Sequence, residues 1–236
     1  MPRRTLVLFA REPGREAREK GFASREAADL AAGWREAARR AGARLVVATP
    51  PEDRAAWRRR FRAPEGILWL IQRGRSFGER LEQTARRVSK LGGHSVLVGG
   101  DVVPSPEALE EAFRALERGA AAVLAPARDG GVSLVGLKPE DCDLLRAIAP
   151  RRRDVFEMLC LRLGQRGRGP HLVRFAPDVD SRGDLRSLLR LFNVSERLRA
   201  AARRALLRVV PLTVTDRVFP RFWIPATPSG LRAPPE

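Results

Sequence analysis

The sequence predicts an α/β fold with a mainly parallel, twisted sheet that is covered by helices on both faces. Short apolar runs alternate along the chain with longer segments of helical periodicity, which is the order expected of βαβ units. The first of these runs, Thr5–Ala10, is apolar almost throughout, as in a strand buried on both faces. Because such sheets bind ligands beyond the carboxyl ends of their strands, we expect a functional site in the loops that follow the strands.

The individual elements follow from periodicity and from the turn residues between the runs. We predict strands at Thr5–Ala10, Arg44–Ala48, Ile67–Ile71, Ser95–Gly99, Ala121–Ala125, Ser133–Leu137 and Leu172–Phe175. We predict helices at Ser24–Ala41, Arg54–Phe61, Phe77–Leu91, 105–118, Glu140–Ile148, Val155–Leu163 and Ser181–Leu191. The helix after residue 104 has a clear start, because Ser105 can cap it and Pro106 suits its first turn.

The chain divides by composition into a long α/β part and a basic end. We expect one domain over residues 1–192 and a C-terminal extension over residues 193–236. Glu196–Arg208 combines many arginines with an apolar stripe at helical spacing, which predicts a basic helix. The last residues, from Pro225 onward, are rich in proline and are expected to pack loosely.

Composition favours a well-cored protein with an affinity for anions. The 236 residues are 44% hydrophobic and carry a net charge of +17. This charge favours polyanionic partners, although solvated basic faces on the helices are the simpler interpretation of arginines that are so widely spread. The only cysteines, Cys142 and Cys160, are not closely spaced, so they predict neither a metal knuckle nor a disulfide framework.

Two features of the sequence bear on where the protein resides. No apolar run approaches the roughly 18–20 residues that span a bilayer. The apolar segment near the N-terminus is too short for the core of a signal peptide, and no small-residue cleavage site follows it. We therefore expect a cytoplasmic protein without a transmembrane segment.

The loop after the first predicted strand has the composition of a phosphate-binding loop. Gly14 would let the backbone approach a ligand, and Arg11, Arg15 and Lys20 would supply positive charge. Backbone N–H groups and arginines in this arrangement suit a nucleoside diphosphate or triphosphate. The alternative is a basic surface loop without a ligand.

Carboxylates follow two of the predicted strands. Asp101 comes directly after Ser95–Gly99 and Gly100, and Asp180 follows the strand at Leu172–Phe175. Carboxylates brought together at one edge of the sheet could hold Mg²⁺ or Mn²⁺, which prefer oxygen ligands. The alternatives are a turn residue at position 101 and a helix-capping residue at position 180.

Several segments, in this order and spacing, resemble those of a known family. They are Leu6–Arg15, Ser76–Leu81, Val98–Asp101, Asp129–Leu137 and Pro177–Ser181. Together they resemble the small bacterial GT-A glycosyltransferase-like proteins long catalogued as a domain of unknown function, a group similar to molybdenum-cofactor and phospholactate nucleotidyltransferases. The resemblance covers roughly residues 5–192 and implies a Rossmann-like GT-A fold, as in nucleotide-diphospho-sugar transferases.

The resemblance also implies roles for particular residues. Asp101 would be a catalytic and metal-binding acid, and Asp180 would be a second metal ligand. Asp129 would be catalytic on the acceptor side. Nucleotide contacts are implied for Gly78, Glu79, Arg80, Gly130 and Gly131. From the residues alone, Asp129-Gly130 is equally a hairpin turn, and the segment at Gly78 is equally a simple helix start.

The sequence therefore predicts a metal-dependent transferase that uses a nucleotide or nucleotide-sugar donor, with an unidentified small-molecule acceptor. Glycosyl and nucleotidyl transfer both remain open. The first loop is shorter than is usual in the family and contains three glutamates, which would repel phosphate unless they pair with the arginines. Because of these departures, the alternative is a degenerate, non-catalytic member that binds polyanions such as RNA through its arginines; nucleic acid is the less favoured partner.

Overall fold

A computed structural model describes residues 3–20, 24–61, 66–127, 129–150 and 152–173. Three of the sequence predictions lie outside these residues: the metal ligand Asp180, the helix at Ser181–Leu191 and the extension over residues 193–236. They stay predictions.

The described residues form strands and helices in alternation. The strands are β1 (Arg4–Phe9), β2 (Arg44–Thr49), β3 (Ile67–Ile71), β4 (His94–Gly99), β5 (Ala122–Pro126), β6 (Val132–Leu137) and β7 (Pro170–Leu172). The α-helices are α1 (Pro13–Lys20), α2 (Ser24–Arg40), α3 (Arg54–Phe61), α4 (Phe77–Ser89), α5 (Pro106–Glu117) and α6 (Val155–Gln165). Two 3₁₀ helices lie at Pro51–Asp53 and Pro139–Ala147.

The strands form one seven-stranded sheet in the order β3-β2-β1-β4-β6-β5-β7. All neighbouring strands are parallel except those that pair with β6, which runs antiparallel to both β4 and β5. The short connection between β5 and β6 explains this exception, because a tight turn can join only antiparallel strands, whereas parallel strands need a long crossover. The predicted mainly parallel α/β sheet is confirmed.

Helices cover both faces of the sheet, as predicted. Successive side chains of a strand point to opposite faces, so Leu6 and Leu8 of β1 join one core cluster and Val7 joins the other. The first cluster includes apolar residues of α2 and α5, and the second includes those of α4, α6 and the 3₁₀ helix at Pro139–Ala147. No helix of the described residues has the length and apolar character to cross a membrane.

Two segments differ from the sequence prediction. Residues 13–20 form α1, where we expected a loop. The helix begins at Pro13, which suits a first helical position, and it gains the i,i+4 pairs Arg15–Glu19 and Glu16–Lys20. The predicted helix near Glu140–Ile148 is a 3₁₀ helix.

Helix α4 packs closely against the 3₁₀ helix at Pro139–Ala147. Gly78 lies in the first turn of α4, and a methyl group added there would overlap the backbone carbonyl oxygens of Arg146 and Ile148. Buried Glu82 of α4 reinforces the contact, because its two carboxylate oxygens accept hydrogen bonds from Arg86, at 2.9 Å, and from Arg146, at 2.6 Å. The absence of a side chain at position 78 is therefore a packing requirement.

Replacing Gly78 by alanine is expected to destabilise the protein. The new methyl group must push against backbone atoms, and overpacking of this kind costs roughly 1–3 kcal/mol. The matched control is Gly164→Ala in α6, where an added methyl group meets nothing within 4 Å; it should stabilise the helix by about 0.4–1 kcal/mol. Urea unfolding of the two variants measures both effects, and equal free energies of unfolding would contradict the packing account.

Candidate functional site

A cavity of about 1380 Å³ opens at the carboxyl ends of β1, β2, β3 and β4, where a parallel sheet is expected to bind its ligand. Its described lining holds as many acidic as basic side chains. These charged residues are Arg11, Arg15, Glu16, Glu19, Lys20, Glu52, Arg80, Asp101, Asp129 and Arg152. The cavity is therefore close to neutral, although the whole chain carries a net charge of +17.

Asp101 lies in the turn that follows β4, on the wall of the cavity. The turn passes so close to the end of β1 that a Cβ atom added at Gly100 would lie 2.5 Å from the Cβ atom of Ala10. Helix α2 holds the residues that follow, because the buried indole of Trp34 donates a hydrogen bond of 2.8 Å to the carbonyl oxygen of Val102. Packing against two elements thus fixes the backbone of Asp101.

The Asp101 carboxylate binds the ammonium group of Lys20, the last residue of α1. The same ammonium lies 3.5 Å from a carboxylate oxygen of Glu16, one helical turn earlier. The side chains of Lys20 and Glu16 are 16% and 15% exposed. The structure therefore brings together two of the predicted site residues, Lys20 and Asp101, and adds Glu16 to them.

Glu16 is held in an unfavourable environment for its charge. Burial raises the pKa of the Glu16 carboxyl, and the neighbouring charge of Asp101 raises it further, whereas Lys20 and Arg11 act in the opposite direction. The carboxylates of Glu16 and Asp101 share the ammonium of Lys20, so that one positive charge serves two negative charges.

The predicted phosphate-binding arginines, Arg11 before α1 and Arg15 within it, are paired with acids. Arg11 binds Glu19. Arg15 donates a hydrogen bond of 2.8 Å to Glu52 and one of 3.4 Å to the buried carboxylate of Asp53. Glu16 and Glu19 of this segment therefore find cations within the fold, which reduces the repulsion that they would exert on a phosphate.

The predicted residues Gly14 and Arg80 have different surroundings. Gly14 is buried in the first turn of α1 rather than exposed in a loop. Arg80 lines the cavity, and its guanidinium donates a hydrogen bond of 3.4 Å to the carbonyl oxygen of Arg75. No carboxylate among the described residues forms an ion pair with Arg80, so it can bind an anion without first breaking a salt bridge.

Gly78 and Glu79 have structural roles at the start of α4, and neither lines the cavity. Glu79 completes a capping box: its carboxylate accepts a hydrogen bond from the backbone N–H of Ser76, and its own N–H donates to the Ser76 hydroxyl. The carboxylate also accepts one of 2.8 Å from the N–H of Arg75. These contacts and the close packing at Gly78 explain both residues without a nucleotide.

The turn between β5 and β6 places Asp129 at the cavity. A carboxylate oxygen of Asp129 accepts a hydrogen bond of 2.8 Å from the N–H of Gly131. Gly130 has a φ of 86°, and a methyl group there would overlap the carbonyl oxygen of Arg153. The turn that the sequence indicates is present, and Asp129 and Gly131 also line the cavity.

Sequence reasoning missed four participants: Glu16, Glu52, Asp53 and Arg152. The i,i+4 spacing of Glu16 and Lys20 could have identified the first, had residues 13–20 been predicted as a helix. Asp53 accepts hydrogen bonds from Arg15 and from the backbone N–H of Glu12, and these contacts join segments that are distant in the sequence. Arg152 lies in an irregular segment that gave no signal.

A complete set of metal ligands is not visible in the described part of the chain. Within that part, no group of three or more His, Cys, Asp or Glu residues has the geometry of a metal site. The second predicted ligand, Asp180, lies outside it. Asp101 and Glu16 are the carboxylates that lie next to the Lys20 ammonium.

Comparison with known proteins gives the family. Residues 33–150, half of the chain, match the family described as "Uncharacterized protein conserved in bacteria (DUF2064)". The chain belongs to this family. It is the resemblance that the sequence motifs indicate, and it is confirmed. No curated protein matches the chain.

Solved structures show the same fold. A "putative nucleotide-diphospho-sugar transferase" from Desulfovibrio desulfuricans matches with a TM-score of 0.74 at 22% identity, over 86% of this chain and 95% of that one. The protein Rv0371C of Mycobacterium tuberculosis, in complex with manganese, matches with a TM-score of 0.52 at 19% identity, over 80% and 100% of the two chains. The DUF2064 protein thus has a nucleotide-diphospho-sugar transferase fold.

The environment of Glu16 predicts a pH dependence. Because its pKa is raised on folding, its contribution to stability is full below about pH 4.5, the ordinary value, and is lost as the pH rises through the raised pKa. The Glu16→Gln variant lacks this titration. Its free energy of unfolding, measured in urea, should therefore rise relative to that of the wild type as the pH increases from 4.5.

The Glu52→Gln variant is the control, because its stability relative to the wild type should change with pH in the opposite direction. A hydrogen bond from Arg15 lowers the pKa of the Glu52 carboxyl, so its contribution is present above about pH 4.5 and is lost as the pH falls. The stability of this variant should fall relative to the wild type as the pH rises. Parallel behaviour of the two variants would contradict the environments described here.

Proposed function

We propose that this DUF2064 protein is a transferase that takes a group from a nucleotide-activated donor, with Mg²⁺ or Mn²⁺ held at Asp101. The observation that carries the proposal is the position of Asp101: it lies at the end of a central strand, on the wall of the cavity, and already holds a cation, the ammonium of Lys20. The shared fold with nucleotide-diphospho-sugar transferases supports it.

The residues at this point suit a hard divalent cation. Asp101 and Glu16 offer carboxylate oxygens, which Mg²⁺ and Mn²⁺ prefer. A protein that supplies only a few carboxylates leaves coordination positions for water and for the phosphates of the donor. The ion would supply charge neutralisation on those phosphates during transfer. The manganese complex of Rv0371C supports the choice of metal.

The basic residues of the lining would hold the donor. Arg80 is the cation best placed to bind a phosphate, because no described carboxylate lies within ion-pair distance of it. Arg11 and Arg15 would act in another way: they neutralise Glu19, Glu52 and Asp53, and so they keep these acids from repelling the donor.

On the acceptor side, Asp129 would act as the catalytic acid or base. Its carboxylate lies in the β5–β6 turn at the cavity, oriented by the Gly131 N–H. A carboxylate so held can accept the proton of an attacking hydroxyl group. The proposal covers both glycosyl and nucleotidyl transfer, with a small-molecule acceptor.

The alternative is a non-catalytic protein that binds polyanions through arginines such as Arg54, Arg58 and Arg59 of α3, which form no ion pair with a described carboxylate. Other arginines are paired within the fold: Arg39 and Arg40 bind Glu36, and Arg166 binds Asp141 and Asp143. Arginines that already hold carboxylates offer less to the phosphates of a nucleic acid.

Asp101→Asn is expected to abolish the metal-dependent part of nucleotide binding and to leave the fold intact. The amide keeps the size of the side chain but removes the charge that attracts the metal. A ligand that binds only the folded state raises the melting temperature, so the Mn²⁺-dependent shift in melting temperature with nucleoside diphosphates should disappear. Asp143→Asn, on the surface away from the cavity, is the control; an unchanged shift in Asp101→Asn would reject the assignment.

Replacing both Arg11 and Arg15 by alanine is expected to weaken the binding of a nucleoside diphosphate much more than that of the nucleoside. The change removes two cations and uncovers Glu19, Glu52 and Asp53, whose negative charge would then repel the phosphates. Calorimetry with both ligands measures the difference. The control is Arg39→Ala with Arg40→Ala, which uncovers Glu36 outside the cavity. Equal weakening for the two ligands would place the arginines away from the phosphates.

A further inference from the structure

We propose that Lys20 is a built-in cation that competes with a divalent ion for the Asp101 carboxylate, so that the metal affinity of this protein is limited by its own lysine. The proposal rests on the proposed function in one respect, namely that Asp101 is the site of metal binding. The proposal goes beyond the proposed function because it assigns to Lys20 a role in limiting metal binding.

The contacts of Lys20 are those of a cation in a carboxylate site. Its ammonium contacts Asp101 and lies 3.5 Å from Glu16. Lys20 is 16% exposed and Asp101 is 27% exposed, so water screens the pair only in part. The ammonium therefore has a carboxylate of α1 on one side and the carboxylate at the end of β4 on the other.

A divalent ion and the ammonium exclude each other at this carboxylate. Both are positive, and at contact distance in a partly buried site their repulsion is strong. The ion would also bind the same carboxylate that now accepts the hydrogen bond from Lys20. The four-carbon stem of lysine is flexible, so the ammonium can leave Asp101 when the metal enters.

This competition can be measured as a change in metal affinity. If the ammonium weakens metal binding, a variant without it should bind the metal more tightly. If Lys20 only anchored α1 to the end of β4, its removal would lower the stability of the fold without raising the metal affinity. The two roles are therefore separated by metal affinity measured on folded protein.

The experiment titrates Mn²⁺ alone into the full-length protein and follows free Mn²⁺ by electron paramagnetic resonance. Lys20→Met removes the ammonium and keeps most of the stem. Lys90→Met, at the exposed end of α4, removes the same charge from a distant place and is the matched control. We expect Lys20→Met to bind Mn²⁺ about tenfold more tightly than the wild type, a typical coupling, and Lys90→Met to bind like the wild type.

Asp101→Asn, alone and with Lys20→Met, identifies the site. The tighter binding should vanish in the double variant, because the gain acts through Asp101. Equal affinities in the wild type, Lys20→Met and Lys90→Met, with a loss in Asp101→Asn, would overturn the competition and leave the metal role of Asp101 standing. Affinities that Asp101→Asn does not change, or no Mn²⁺ binding by any variant, would overturn both.

Discussion

The close approach of two strand ends organises the site. β1 and β4 are parallel neighbours with Phe9 opposite Gly99, so the chain leaves both strands at the same edge of the sheet, where Gly100 meets Ala10. A larger residue at position 100 would separate the two exits. Because they lie together, the helix that follows β1 delivers Lys20 to the acid that follows β4, and the remaining features of the cavity are arranged around that contact.

Charge balance is the second constraint on this cavity. The chain carries a large positive charge, yet the acids and arginines of the cavity pair with one another, as in the contact of Arg15 with Glu52. If the proposed function holds, such pairing lets a basic protein keep carboxylates at a site that a phosphate approaches. The positive charge left to attract that phosphate is then much smaller than the composition indicates, and Arg80 supplies much of it.

The sequence predicted the architecture well because buried strands and amphipathic helices leave periodic signals, and the ordered motifs indicated the family. It failed where the stabilising contacts are distant or polar. Helix α1 has few apolar residues, so its period was missed, and the contact of Lys20 with Asp101 joins residues 81 positions apart. The close packing of Gly78 against the backbone at Arg146 was also not predictable, because no sequence pattern shows that a glycine packs against a distant backbone.

We propose above all that the Asp101 carboxylate is the metal-binding acid of this cavity and exchanges Lys20 for the ion. The most direct measurement is anomalous scattering from crystals grown with Mn²⁺ and a nucleoside diphosphate. We expect a manganese peak in contact with the Asp101 carboxylate, with the Lys20 ammonium moved away from it. A nucleotide bound in the cavity with no manganese at Asp101, and with Lys20 still on that carboxylate, would contradict this proposal.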